Sequence, residues 1–266
     1  MRREPAIGGL RYASALVTTN LKASLALRGA FWLQASFMLL NNVTFFVTWL
    51  IFFHRFNEVR GWRLDDMLVL FAVVAGGYGL FNVLAGGALQ LARAIGDGDL
   101  DPILVQPRPP LLQIVASRST ASGWGDLATG VIFLSLATRS HLAAAPLGLA
   151  AIVASAVVFT ASAVLLQSLA FWLGRIEVVA RQMLEFQITF GLYPSSLFGG
   201  ALRVVLYTAI PAGFVGYLPA EFVRTASLPA LAGLFAGTAF FVALALVVFH
   251  RGLRVYESGS RFGGVW

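Results

Sequence analysis

Six blocks of this sequence are each long and apolar enough to cross a bilayer, and a soluble fold cannot absorb six of them. They run about Ala30–Phe53, Met67–Ala92, Leu111–Ala137, Pro146–Leu173, Phe186–Leu206 and Leu228–Phe249. Composition agrees, since 58% of residues are apolar and only 12% charged, where a soluble domain would be about a quarter charged. The chain is therefore read as one all-α integral membrane domain. Absence of cysteine removes disulfide and thiolate chemistry. The net charge of +7 does not point to nucleic acid, because the basic residues are scattered between apolar blocks and form no run. The first apolar block begins too far from Met1 for a cleaved signal peptide.

Lys and Arg divide unequally between alternate connections. Thirteen fall on one side: Arg2, Arg3, Arg11, Lys22 and Arg28; Arg93, Arg108 and Arg118; Arg175 and Arg181; Arg251, Arg254 and Arg261. Five fall on the other (Arg55, Arg60, Arg63, Arg139, Arg224), and Arg203 lies inside the fifth block. The positive-inside rule then puts both termini in the cytoplasm. The expected layout is a cytoplasmic segment 1–29, a six-span domain 30–250 and a cytoplasmic tail 251–266. In the first segment Leu10, Val17 and Leu21 share one helical face, with Arg11, Thr18 and Lys22 about a quarter turn away. That pattern predicts a helix lying in the membrane interface.

Several residues inside the blocks are informative. Gly76, Gly77, Gly79, Gly86 and Gly87 mark the second span as a packed face, because small residues let helix backbones approach. Pro194 and Pro211 break the fifth stretch, which predicts a shielded, non-straight segment with a re-entrant part over about 207–222. Asn41, Asn42, Pro194 and the glycines make the first, second and fifth spans the candidates to line a pathway or seal an interface. Asp126 sits halfway along the third span, where an unpaired carboxylate is costly. Its bland reading is a hydrogen bond within the bundle, to Arg118 or a hydroxyl; its sharp one is a proton relay, although no second acid lies in any span. Glu177, Arg181 and Glu185 stand at i, i+4 and i+8, as in an ion-paired stripe. His54, His141 and His250 are too far apart in sequence to suggest a metal site.

The most distinctive segment is the connection 94–110, which carries Asp97, Asp99 and Asp101 among Gly and Leu and ends on prolines. Asp101 before Pro102 predicts an N-cap with proline at the first helical position, then a turn and a half of helix. A short capped helix between two spans suits docking to another protein. A Ca²⁺ loop competes but lacks the distal glutamate, and an acidic turn with no partner is the plain alternative. There is no GxxxxGK[ST] loop, so the chain is not expected to hydrolyse ATP. HExxH and GxSxG are likewise missing, so it is not read as an enzyme by itself.

The loop Gly98-Asp99-Leu100-Asp101-Pro102-Ile103-Leu104-Val105-Gln106-Pro107 resembles the Gly-x-Leu-Asp-x-x-Leu-x-x-Pro loop of ABC-2 type ABC exporter permeases. So do Tyr193-Pro194, Ile210-Pro211 with Pro219, and the tail Gly252 to Gly259, in order along nearly the whole chain. The resemblance implies a type V-like fold of six transmembrane helices with an N-terminal interfacial helix, in a bacterial cytoplasmic (inner) membrane. It implies a coupling helix that docks on a separate cytoplasmic ATPase, with Asp97, Asp99, Leu100, Asp101, Pro102 and Leu104 as coupling positions. Asn41, Asn42, Asp126, Pro194 and Pro211 become pathway or gate candidates, and Pro211 with Pro219 falls in an extracellular re-entrant element. No cofactor would bind directly, ATP and Mg belonging to the ATPase, and a second permease, identical or related, would complete the pathway. Asp97 and Asp99 make this loop more acidic than the common pattern. Two other classes remain: a proton-coupled secondary carrier using Asp126, and a non-transporting membrane assembly protein.

Overall fold

Backbone in lipid must satisfy its own N–H and C=O groups, so the apolar blocks become helices. The computed structural model describes residues 6–139 and 142–257. Arg2, Arg3, His141, Ser258, Gly259 and Arg261, used in the reading above, lie outside them, as does the Leu10 side chain. Helix α1 (Ala6–Ala26) precedes α2 (Arg28–Arg55) and α3 (Leu64–Ala85), which continues through a 3₁₀ turn into α4 (Leu91–Gly96). Then come α5 (Asp101–Leu104), α6 (Pro110–Val115), α7 (Ala121–Ala137), α8 (Ala145–Ser168) and α9 (Ala170–Leu173). Last are α10 (Glu177–Gly191), α11 (Gly200–Val205), α12 (Leu218–Thr225) and α13 (Leu228–Val255).

Among the described residues four helical stretches are long and apolar enough to cross a membrane: Arg28–Arg55, Leu64–Gly96, Leu142–Leu173 and Leu228–Val255. The expected third and fifth blocks are not single helices. Residues 116–120 interrupt the third, leaving α6 and a shorter α7, because Arg118, Ser119 and Thr120 leave the helix where α7 meets α3. The fifth starts earlier than expected, at Glu177, and ends at Gly191 before Pro194.

The bundle is built around α3. In its apolar stretch, continued into α4, 78% of residues are buried against 11% for α2. Lipid tails are as apolar as Leu, so close backbone packing rather than hydrophobicity holds such helices together. The glycines expected to form a packed face do so. A Cβ at Gly79 would overlap the Leu127 backbone nitrogen, and one at Gly130 would overlap Gly76. Helix α7 runs antiparallel to α3 along that seam, and α8 lies on the next side, with Ile152 against Gly76 and Ser155 against Gly77. The 3₁₀ break below α3 is covered by Gln167, whose Oε1 accepts from the Ala92 N–H at 3.2 Å.

Between α2 and α3, Arg60 and Gly61 both take positive φ (47° and 82°), closing a tight turn in which Val59 and Trp62 exchange backbone hydrogen bonds of 2.9 Å. After α10 the chain folds into a hairpin. It turns at 192–199, where the Arg60 guanidinium donates to the Ser196 carbonyl at 2.9 Å. It then descends through α11 to Pro211, beside Gln187, and climbs back through a π turn (Gly213–Tyr217) and α12. Side chains satisfy the irregular backbone: Gln187 reaches the Pro211 carbonyl at 3.5 Å, Ser155 donates to Val215 O at 2.8 Å, and the Tyr217 hydroxyl to Phe190 O at 2.6 Å.

Candidate functional site

The acidic connection lies at the end of the bundle marked by Arg93, and its shape follows from one glycine. Helix α4 stops at Gly96, Gly98 adopts φ 76°, and the Asp99 N–H returns to the Ala94 carbonyl at 2.9 Å. That is a Schellman ending, which needs a left-handed residue and so selects glycine. Leu100 follows, fully buried, and then comes the four-residue helix α5. The cap position belongs to Leu100, not to Asp101 as expected; Asp101 heads the helix with Pro102 behind it. The Asp101 carboxylate instead accepts a 2.9 Å hydrogen bond from the Tyr256 hydroxyl, just past α13.

Of the expected coupling positions, Asp99, Pro102 and Leu104 are exposed, Asp97 and Asp101 are half-buried, and Leu100 is an internal anchor rather than a contact surface. Beside Leu104, Val105 is 84% exposed and extends the apolar tip. Burial, followed by the Asp101 hydrogen bond and the charges of Asp101 and Asp99, pushes the Tyr256 hydroxyl up to about 12. It therefore stays a protonated donor at neutral pH, and its contribution fades only as pH rises from 10 through that value.

Neighbouring contacts frame this end. Arg93 pairs with Glu177 at 3.2 Å, so Glu177 is held across helices rather than by Arg181 as the stripe suggested. Both side chains are substantially exposed, so the pair contributes little. Helix α1 lies against α6: Asn20 donates to the Ala116 carbonyl at 2.9 Å, and the Arg108 guanidinium sits 4.0 Å over the Tyr12 ring.

A second polar constellation joins α2 to α7. The Asn42 amide donates to Asp126 Oδ1 at 2.7 Å and to Thr129 Oγ1 at 3.2 Å. Asp126 is 3% exposed, and its other carboxylate oxygen has no hydrogen-bond partner among the described residues. The partner is thus an amide from another helix, neither Arg118 nor a hydroxyl. Glycine again permits the approach, since a Cβ at Gly125 would overlap the Ala35 carbonyl and stand 2.8 Å from Met38 Cβ. Asn41 faces outward from α2 and takes no part.

Pro194 and Pro211 are both buried, but at opposite ends of the descending hairpin arm. Pro194 and Tyr193 line a cleft of about 490 Å³ with Phe45, Trp49 and Phe52 of α2. The structure therefore unites Asn42 with Asp126, sets Pro194 against α2, and leaves Pro211 at the hairpin tip.

Sequence reasoning missed the lock at the opposite end. Arg224 of α12 pairs with Asp66 at 2.7 Å, donates to the Gly61 carbonyl at 3.2 Å and lies 4.7 Å over the Trp62 ring. Asp66 also accepts from the Arg63 N–H at 2.8 Å. Its place three residues after the α3 cap was the available signal. Among the described residues no group of three or more His, Cys, Asp or Glu side chains is placed to hold a metal ion.

The profile of ABC-2 family transporter proteins matches residues 39–260, which take in the acidic loop, the Asn42–Asp126 contact and the hairpin. The chain belongs to the ABC-2 transporter family. No curated protein and no solved structure matches it. As an ABC-2 protein it is a multi-pass membrane permease component, and the geometry above can be taken as that of a transport subunit.

Proposed function

We propose that the chain is the transmembrane permease subunit of an ATP-driven exporter, working as a homo- or heterodimer on a separate cytoplasmic ATPase. The observation that carries this is α5: a one-turn helix offering Pro102, Leu104 and Val105 outward, seated on buried Leu100 between the long α3–α4 stretch and α6–α7. Docked on an ATPase, such a helix receives the push when two ATP-loaded subunits close. Six crossings follow if α6–α7 serves as the third and α10 with the hairpin as the fifth. Helix α1 then lies in the interface, both termini are cytoplasmic in a bacterial inner membrane, and the hairpin around Pro211 and Pro219 caps the outer side. The second permease fits the face of α2, whose Trp32, Leu33, Phe37 and Leu40 are exposed, together with Val178, Val179 and Phe186 of α10. ATP-driven tilting then shifts the pair between inward-facing and outward-facing states by differential binding.

The test is mild-detergent purification from the native membrane with stoichiometry of everything retained. It is repeated with Leu104→Asp and Val105→Asp, exposed changes that leave the bundle intact. The expected result is an ATP-binding subunit and two permease copies or a related pair, with the ATPase lost from the variants. Recovery of the folded chain alone across detergents refutes the assignment. It would favour a carrier built on Asp126, whose second oxygen has no hydrogen-bond partner among the described residues.

A further inference from the structure

We propose that Tyr256 is a positioning residue that ties α5 to the end of α13, so that the loop and the last span move as one piece. The inference rests on reading α5 as the coupling helix. The tie joins residues 155 positions apart through one hydrogen bond, from the Tyr256 hydroxyl to Asp101 Oδ1 at 2.9 Å. The tyrosine itself is held: its ring meets Phe171 edge-on at 6.0 Å, and Phe171 meets Phe249 of α13 at 6.0 Å. Gly252 leaves the space for Phe171, since a Cβ there would overlap that ring. Phe171 belongs to α9, so the cluster knits the ends of α8–α9 and α13 together beneath α5.

A four-residue helix cannot hold its own shape, because helix nucleation is unfavourable and so short a helix cannot repay it. On either side of α5 lie turns, at 97–100 and 105–109, that would absorb a push. Leu100 fixes the start of α5 in the core, and Asp101 with Tyr256 supplies a second point of attachment to another span. Two fixed points turn a displacement at Leu104 and Val105 into a displacement of α13 rather than a bend in the loop.

The chain has no cysteine, so nitroxide labels can be placed at Val105→Cys and Arg251→Cys, both exposed, in lipid nanodiscs. Paramagnetic-resonance distances should give one narrow distribution. Tyr256→Phe keeps the ring and removes only the hydroxyl. It should raise the detached, broad population about tenfold, the scale for losing a hydrogen bond to a charged group. Asp101→Ala should raise it at least as much, and adding Tyr256→Phe to Asp101→Ala should change nothing further. An unchanged distribution in Tyr256→Phe, or an additive effect in the pair, overturns the tie. With the ATPase present, Tyr256→Phe should retain as much ATPase on purification while the permease's effect on its turnover falls. Equal turnover control refutes transmission through the tie. If no ATPase is retained even by the unsubstituted chain, the coupling reading fails, and the label distances still decide the tie.

Discussion

Gly79→Ala should loosen the whole bundle, although it adds only one methyl group. The new Cβ would overlap the Leu127 nitrogen, stand 2.7 Å from the Gly123 carbonyl oxygen and 2.9 Å from the Asp126 carbonyl carbon. All three are backbone atoms of α7, so no side chain can swing aside. Ordinary contact begins near 3.4 Å, so α7 must retreat by roughly 0.7 Å at Gly123 and further at Leu127 if that overlap is to be relieved. Overpacking of this kind costs about 1–3 kcal/mol, and alanine returns up to roughly 1 kcal/mol of helix propensity. The net loss of about 1–2 kcal/mol corresponds to a midpoint about 2–8 °C lower for a chain of this size. Retreat of α7 also draws Asp126 away from Asn42, since both contacts lie on the same two turns. The assay is thermal unfolding in detergent, followed by size-exclusion fluorescence. Gly29→Ala is the control, because nothing lies within 4 Å of a Cβ there and only the propensity gain remains. If Gly79→Ala melts at or above Gly29→Ala, the backbone seam is not what holds α3 to α7.

Asn42→Leu should destabilise by about 1–3 kcal/mol, because it strips the donor from a buried carboxylate, while Asn42→Leu with Asp126→Leu should recover part of that loss. The same melting assay reads both, and simple addition of the two single losses would refute the pairing. Arg224→Gln and Asp66→Asn should show a coupling on the order of 1 kcal/mol in a double-mutant cycle that shrinks at high salt, since neither side chain is fully buried. Zero coupling at low salt would reduce that lock to a bystander.

Hydropathy made the four long helices legible because their apolar runs are continuous. It blurred the third and fifth because composition does not register where a helix must stop. Residues 116–120 are interrupted by a tertiary demand, the meeting of the Thr120 N–H with the Asn82 carbonyl at 3.2 Å. The hairpin's prolines announced irregular backbone, but the partners that make it tolerable, Gln187 and Ser155, look like ordinary polar residues in sequence. In the acidic loop the glycine and the short helix were readable. The cap expected at Asp101 falls on Leu100 instead, because local capping chemistry gives no hint of a tyrosine 155 positions away. Asn42 and Asp126 were each visible as expensive polar residues inside spans; their union is a packing fact.

The glycine seam between α3 and α7 also bears on how the protein is made. Taken as a span, α7 has 17 residues, about 25 Å of helix against a hydrocarbon core of about 30 Å. It also carries Asp126 in its second turn, where an aspartate opposes insertion by up to roughly 2.5–3.5 kcal/mol, the cost at a helix centre. Presented alone to the insertion machinery, α7 is a poor candidate for release into lipid. Its credentials are held by its neighbours: the groove of α3 that accepts its backbone and the Asn42 amide that hydrogen-bonds its carboxyl group. Both precede α7 in the chain and are synthesised first, so the nascent chain can hold a berth ready before α7 emerges from the ribosome.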